Sequence, residues 1–365
     1  MRRYYYIDDE VDTIKSIADG INESNMVKVE VFPLSQYKEF EKITEQLKSE
    51  WDNFDGLILD LKLDGGGVDS TKYTATSLAQ WISSYVVAES KAAKPLVLLS
   101  NDLKCANFKE DITSHDLFDV VLERSGGLEW ERVAHLLEVL ADDYDNLNKD
   151  KDKKLTNLLH NDNIDITATY FAPFLDVATF NVSQFASFVL NDLFKHPGLL
   201  ISEALLAARF GVDMEKSGDA WKIFKEKYLS VARYRGVFEQ VAECYWNKKS
   251  QQVFTELSGG KSAASMTTIQ RVAAIKEHTE DAKDLVGYEP DEKEVSIYCW
   301  AIDEVTGKPL DASTGYMLQE EGGLKSWQEP RFLSFDTIES GNKGDYCLVP
   351  SELERYNEDL AAIED

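Results

Sequence analysis

The segment Gly-Leu-Ile-Leu-Asp-Leu at residues 56–61 places one acidic residue, Asp60, inside an apolar run. A short apolar run of this kind is typical of a buried β-strand. An ionised carboxylate within such a strand costs several kcal/mol unless it lies where the strand ends. We therefore predict a buried strand that ends at Asp60 and brings its carboxylate to one edge of a sheet.

Strand and helix patterns alternate on both sides of this segment. Strand patterns occur at residues 4–7, 27–32, 96–99 and 120–122, and helical patterns lie between them at 11–23, 37–51 and 76–88. Strands that are joined through helices form parallel sheets with right-handed crossovers, and the helices cover both faces. The predicted fold class of this region is therefore α/β, with a doubly wound parallel sheet.

Acidic and hydroxyl side chains stand where three of the predicted strands end, namely Asp8, Asp9, Asp60 and Ser100. In open parallel sheets, functional groups collect beyond the carboxyl ends of the strands. Clustered carboxylates repel one another unless a cation lies among them, and Mg²⁺ prefers such oxygen ligands. With a metal in place, a carboxylate can attack a phosphoryl group. The pattern thus predicts a magnesium site formed by the three acids, with a hydroxyl beside it.

Each of these residues also has a simpler interpretation. Asp8 and Asp9 precede a predicted helix, and acids before a helix are favoured by its dipole. Ser100 is followed by an asparagine and an aspartate, and could equally cap a helix. Asp60 is harder to explain in this way, because it lies within an apolar strand pattern.

Residues 1 to about 125 resemble the receiver domain of two-component response regulators. The matching motifs are Ile-Asp-Asp-Glu at 7–10, Leu-Ile-Leu-Asp at 57–60 and Pro-Leu-Val-Leu-Leu-Ser at 95–100. The resemblance implies a five-stranded, flavodoxin-like sheet. It also implies that Asp60 is the phosphoacceptor, that Asp8 and Asp9 bind Mg²⁺ with it, and that Ser100 senses the phosphoryl group. A histidine kinase or phosphotransfer protein would be the donor, and at most phosphoryl transfer and self-dephosphorylation would be catalysed.

The same region departs from the receiver pattern at several points. Glu123 stands where the family has a lysine, and only Arg124 could substitute for that cation. Val120 and Val121 occupy the region of the usual aromatic switch residue, and the loop at 62–74 is long and contains three consecutive glycines. Two hypotheses remain open: a phosphorylated signalling protein with a protein effector as its output, or a pseudo-receiver that is never phosphorylated and serves as an adaptor or scaffold.

Composition shifts divide the chain into four predicted parts. The receiver-like domain covers residues 1–141, and a connector rich in Asp, Asn and Lys covers 142–165. An aromatic-rich helical domain follows at 166–283, and a small β-containing unit occupies 284–365. The function of residues 166–365 is not indicated by any motif.

One segment of the helical part suggests a third hypothesis. Residues 203–212 resemble the first helix and turn of a helix-turn-helix, with Gly211 as the helix stop. Residues 215–276 contain 11 Lys and Arg against 6 Asp and Glu, so this region is locally basic. The alternatives are a transcription regulator, or a basic face that is simply solvated.

The overall charge limits the classes of partner. With 66 acidic and 39 basic residues, the formal net charge is −27, which repels nucleic acid and anionic lipid. The four cysteines show no zinc-binding or dense disulfide spacing, and no stretch is long enough to span a membrane. These features predict a cytoplasmic protein whose partners are proteins.

Overall fold

The computed structural model divides the chain into two compact units. It describes residues 1–64, 71–101, 117–124, 128–290, 297–320, 322–344 and 346–364. The first unit contains Met1–Asp192 and Arg235–Ala242, and the second contains Leu193–Tyr234 and Glu243–Asp365. Within the described residues, no helix has both the length and the apolar character needed to cross a bilayer.

A five-stranded parallel sheet forms the centre of the first unit. Its strands are β1 (Arg2–Ile7), β2 (Val27–Val31), β3 (Gly56–Leu59), β4 (Leu96–Ser100) and β5 (Val120–Glu123). They lie in the order β2-β1-β3-β4-β5, and every neighbouring pair is parallel. This is the strand order of flavodoxin-like doubly wound sheets. The predicted fold class is confirmed.

Helices cover both faces of this sheet. They are α1 (Val11–Asn22), α2 (Phe40–Ser49), α3 (Ala75–Ala88) and α4 (Trp130–Lys149). Alternate strand residues such as Ile7 and Leu59 pack with Leu47 of α2 and Leu78 of α3 in one core. On the other face, the Tyr4 hydroxyl donates a hydrogen bond to a backbone carbonyl of α4. The alternation of side chains along each strand therefore supplies both apolar faces.

The first unit continues beyond the predicted receiver boundary. Helix α4 runs through residue 142, where the connector was expected, and ends at Lys149. Helices α5 (Leu155–Leu158) and α6 (Val182–Ser187) follow, with a 3₁₀ helix at Thr169–Phe174 and a π-helix at Phe188–Leu193. Helix α6 packs against α4, and the Asn191 side chain donates to the Phe118 carbonyl. The aromatic residues after 166 thus belong, up to residue 192, to the same compact unit as the sheet.

The second unit is mainly helical around its own core. Its helices are α7 (Glu203–Phe210), α8 (Met214–Ser217), α9 (Asp219–Phe224), α10 (Asn247–Leu257), α11 (Thr268–His278), α12 (Phe335–Glu339) and α13 (Pro350–Glu364). The sequence pattern predicts a helix over residues 199–210, but the first part of that stretch is strand β6 (Leu200–Ser202). It pairs antiparallel with β7 (Cys244–Trp246). Helix α7 begins only after Ser202, whose hydroxyl accepts a hydrogen bond from the Leu205 amide.

Two short antiparallel ladders provide the β structure expected near the C-terminus. They are β8 (Ala301–Ile302) with β9 (Pro309–Leu310), and β10 (Tyr316–Met317) with β11 (Phe332–Leu333). Gly307 has a φ of 68° in the turn of the first ladder, a conformation that favours glycine. Residues 291–296, which open the predicted β unit, lie outside the described residues.

The helix-turn-helix hypothesis is not supported by this geometry. Helix α7 does end at the predicted glycine, because Gly211 adopts the left-handed conformation. The next helix, α8, has only four residues, and α9 has six. Residues 205–210 are all buried. Helix α9 continues into a π-helix at Lys225–Leu229, but the helix that directly follows the turn is α8, which is too short to serve as a recognition helix.

Replacing Gly211 with alanine should destabilise the second unit. Gly211 has a φ of 75°, and a Cβ atom built there lies 2.3 Å from the Thr268 carbonyl oxygen. We expect a loss of more than about 2 kcal/mol in the free energy of unfolding, measured by urea denaturation. Gly260→Ala is the matched control, since Gly260 has a φ of 91° with no atom within 4 Å of the added Cβ. If the free energy of unfolding fell equally in the two variants, the contact with Thr268 would not account for the destabilisation.

Candidate functional site

The acidic residues predicted from the sequence meet at the carboxyl-terminal edge of the sheet. Asp8 and Asp9 follow β1, Asp60 follows β3, and Ser100 is the last residue of β4. Asp8, Asp60 and Ser100 are fully buried, and Asp9 is 5% exposed. One carboxylate oxygen from each of Asp8, Asp9 and Asp60 lies within 4.8 Å of the others. The edge therefore offers three oxygen ligands of the type that Mg²⁺ prefers.

Local hydrogen bonds orient the two innermost carboxylates. The Ser100 hydroxyl donates to Asp60 Oδ1 at 3.0 Å, and the Lys62 amide donates to Asp60 Oδ2 at 3.0 Å. The Glu10 amide donates to Asp8 Oδ1 at 2.8 Å. Ser100 is therefore bound to the acid predicted as its neighbour. Asp8 Oδ1 thus closes the turn before α1, while Asp8 Oδ2 accepts from Arg124.

The Arg124 side chain contacts this cluster. Its Nη2 atom donates to Asp8 Oδ2, to Asp60 Oδ1 at 3.3 Å and to the Tyr6 hydroxyl at 2.7 Å. The Arg124 side chain is only 12% exposed, so these bonds form away from bulk water. The Arg124 amide also donates to the Ser100 carbonyl at 2.6 Å, which holds the end of β5 beside β4. Arg124 is the residue that the sequence offers as a substitute for the lysine, and its side chain does reach Asp8 and Asp60.

Burial and charge act together on these groups. Burial raises the pKa of the Asp8 carboxyl, and the nearby Asp60 raises it further, against the opposing effect of Arg124. Burial alone would lower the pKa of the Arg124 guanidinium, but Tyr6, Asp8 and Asp60 raise it above its usual value. The Arg124 guanidinium thus places one positive charge directly on Asp8 and Asp60.

Other residues named from the sequence lie near this edge or outside the described chain. Glu123 is half-buried at the end of β5, opposite Ser100 in the strand register. Val120 and Val121 are half-buried within β5. The three glycines at 65–67 and the segment 102–116 lie outside the described residues.

Tyr6 belongs to the site but is not predicted from the sequence. Tyr6 is fully buried in β1, and its hydroxyl accepts the Arg124 hydrogen bond described above. It also lies under the guanidinium, 5.9 Å from its ring centroid to Arg124 Cζ. The only signal in the sequence is an aromatic residue two positions before the acidic pair, and this is equally typical of a core strand.

No protein-family model and no curated protein matches this chain. Two solved structures are similar to the N-terminal part. A response regulator receiver domain protein from Clostridium thermocellum has 14% identity and a TM-score of 0.28, covering 41% of this chain and 98% of that one. A sensor protein from a Polaromonas species has 12% identity and a TM-score of 0.29, covering 39% and 98%. The N-terminal unit has a receiver-like fold, as its own strand order shows.

Proposed function

We propose that the N-terminal unit is a signalling receiver in which Asp60 accepts a phosphoryl group in the presence of Mg²⁺. The observation that carries this proposal is the cluster of three buried carboxyl groups, from each of which one oxygen lies within 4.8 Å of the others. Such a cluster is stabilised by a hard divalent cation. When bound, Mg²⁺ would neutralise charge on the phosphoryl oxygens, and Asp8, Asp9 and Asp60 would hold it.

The chain's own groups suit the transfer step. An Asp60 carboxylate oxygen would attack phosphorus and form a P–O bond, while the P–N bond to a donor phosphohistidine breaks and the donor imidazole retains the electron pair. The Ser100 hydroxyl donates to Asp60 Oδ1. It would lie close enough to donate to the oxygens of a phosphoryl group attached to Asp60. The Arg124 guanidinium, which contacts Asp60 Oδ1, would then form charge-assisted hydrogen bonds with the phosphoryl oxygens.

The contacts of Arg124 indicate how phosphorylation of Asp60 could change the binding of a partner protein. Its side chain contacts Asp8 and Asp60, and its backbone amide is bonded to Ser100. A shift of the guanidinium towards a phosphoryl group would disturb the junction between β4 and β5. The output would then be a changed surface for an effector protein, with a histidine kinase or phosphotransfer protein as the donor.

Treatment with acetyl phosphate tests the proposal directly. With Mg²⁺, intact-protein mass spectrometry should show the addition of one phosphoryl group, and Asp60→Asn should abolish it. Asp52→Asn is the matched control because Asp52 is exposed and lies outside the cluster. Labelling that persists in Asp60→Asn, or that does not depend on Mg²⁺, would contradict the proposed role of Asp60.

A second candidate function is a constitutive adaptor with a receiver shape. It is favoured by the burial of Asp60, which is 0% exposed beneath a guanidinium that already neutralises part of the cluster. In this case Arg124 would serve as a permanent cation, and the unit would bind its protein partner in a single state. Absence of labelling by acetyl phosphate, together with no stabilisation by Mg²⁺, would favour the adaptor.

A further inference from the structure

The second unit contains a cavity of about 550 Å³. Its walls come from α7, from the β8–β9 hairpin and from the residues just before β11. Most of the lining is apolar, including Phe194, Leu205, Ile302 and Phe332. The volume lies in the range of about 300–1,000 Å³ that is typical of small-molecule sites.

One carboxylate in this wall is held in place by a rigid turn. Glu304 follows β8, and its amide donates to the Phe332 carbonyl at 2.9 Å. The preceding residue, Asp303, is buried and accepts hydrogen bonds from the amides of Val305, Thr306 and Ser334. These bonds fix the hairpin turn and its junction with β11. Glu304 is therefore fixed before any ligand arrives, as binding residues generally are.

The cation next to Glu304 is already engaged by another acid. Arg331 donates two hydrogen bonds of 2.8 Å to the carboxylate of Glu320, in a bidentate arrangement. Its contact with Glu304 is a single bond of 3.3 Å. Burial raises the pKa of the Glu304 carboxyl above its usual value despite Arg331. The pKa of Glu320, by contrast, is lowered to about 2, because its bonds to His196 and Arg331 outweigh its burial.

A second hydrogen-bond acceptor belongs to the same wall. His196 Nε2 lies 3.2 Å from Glu320 Oε2 and donates to it in the tautomer that carries its proton on Nε2. Nδ1 is then an acceptor, and it is buried without a hydrogen-bond partner among the described residues.

The basic residues of the wall are less available than these acceptors. Arg209 is bonded to Asn247 and Glu329 and lies over the Trp300 ring. Lys195 is exposed, so water screens its charge. The Glu304 carboxylate accepts a 3.3 Å bond from Arg331, which is already bound to Glu320 in a bidentate arrangement. It can therefore accept a further hydrogen bond from a donor with positive charge.

We propose that this cavity binds a small organic amine, with its ammonium group on Glu304 and its apolar body among the lining side chains. An ammonium group carries three N–H donors. It can thus donate to Glu304 and keep two further donors for other acceptors of the wall. The apolar body gains from burial among Phe194, Ile302 and Phe332.

Three probes of similar size and shape test the proposal on the full chain. 2-Phenylethylamine, 2-phenylethanol and 3-phenylpropionate share an aromatic ring and differ in the charge of the polar group. By isothermal titration we expect the amine to bind at least about tenfold more tightly than the alcohol, as a charge-assisted hydrogen bond predicts. Glu304→Gln should remove this preference.

Two further variants keep the test decisive. Glu339→Gln makes the same charge change at an exposed residue of the second unit and should leave binding unchanged. If Glu304→Gln does not fold, Val305→Trp replaces it, because Val305 is 42% exposed at the cavity wall and a larger side chain there should block the amine. The proposal is overturned if no probe binds the wild type, if the alcohol or the acid binds as tightly as the amine, or if the amine keeps its affinity in the folded variant.

Discussion

Arg124→Ala will lower the free energy of unfolding of the N-terminal unit by about 3 kcal/mol in the absence of divalent cations. The variant leaves Asp8 and Asp60, both fully buried, without the guanidinium that contacts them. An uncompensated buried charge is far more costly than a broken pair at the surface. Urea denaturation in EDTA, followed by hydrogen exchange of the β1, β3 and β4 amides, measures this loss in the relevant unit.

Mg²⁺ should restore much of this stability. Removal of the competing guanidinium makes the cluster more negative by one charge, so the variant should gain more from Mg²⁺ than the wild type does, by mass action on the folded state. Arg132→Ala is the matched control, because Arg132 lies in the same unit with its side chain 84% exposed. We expect it to cost less than about 1 kcal/mol. If the free energy of unfolding of Arg124→Ala equalled that of the wild type and did not change with Mg²⁺, the carboxylates would need no cation. The phosphoacceptor proposal would then lose its main support.

The features of the first unit that could be predicted are those encoded locally. Each of its strands has its own short apolar pattern, and the helical patterns between them imply parallel pairing. Because the ends of parallel strands meet at one edge, the proximity of Asp8, Asp9 and Asp60 followed from their places after the strands. Their role as magnesium ligands stays a prediction.

The features that could not be predicted depend on distant partners. Leu200–Ser202 lies next to a helix-forming stretch and was predicted as helix, but its strand partner is Cys244–Trp246, more than forty residues later. Local periodicity contains no information about that pairing. The role proposed for Glu304 could not be predicted either, because it depends on the hydrogen bonds that Arg331 makes with both Glu304 and Glu320 in the folded chain.

Arg271→Met should unfold the second unit or destabilise it by more than about 4 kcal/mol. Arg271 lies on α11, is 0% exposed, and donates to three backbone carbonyls, those of Ala263, Ala208 and Tyr298. These carbonyls belong to three separate segments, and two of them also accept a backbone hydrogen bond, Ala208 from the Gly211 amide and Ala263 from the Met266 amide. Methionine fills similar space but donates nothing, so the three guanidinium bonds that join these segments would be lost.

Lysine should not rescue this position. Its ammonium group is a compact point charge, whereas the planar guanidinium places donors in three fixed directions. We therefore expect Arg271→Lys to remain destabilised, while Lys276→Met on the same helix serves as the control for loss of a cation. Circular dichroism and urea denaturation of the full chain, with hydrogen exchange to assign the transition to the second unit, make the comparison. If Arg271→Lys were as stable as the wild type, positive charge alone would account for the stabilisation, and the three directed hydrogen bonds would not be what joins these segments.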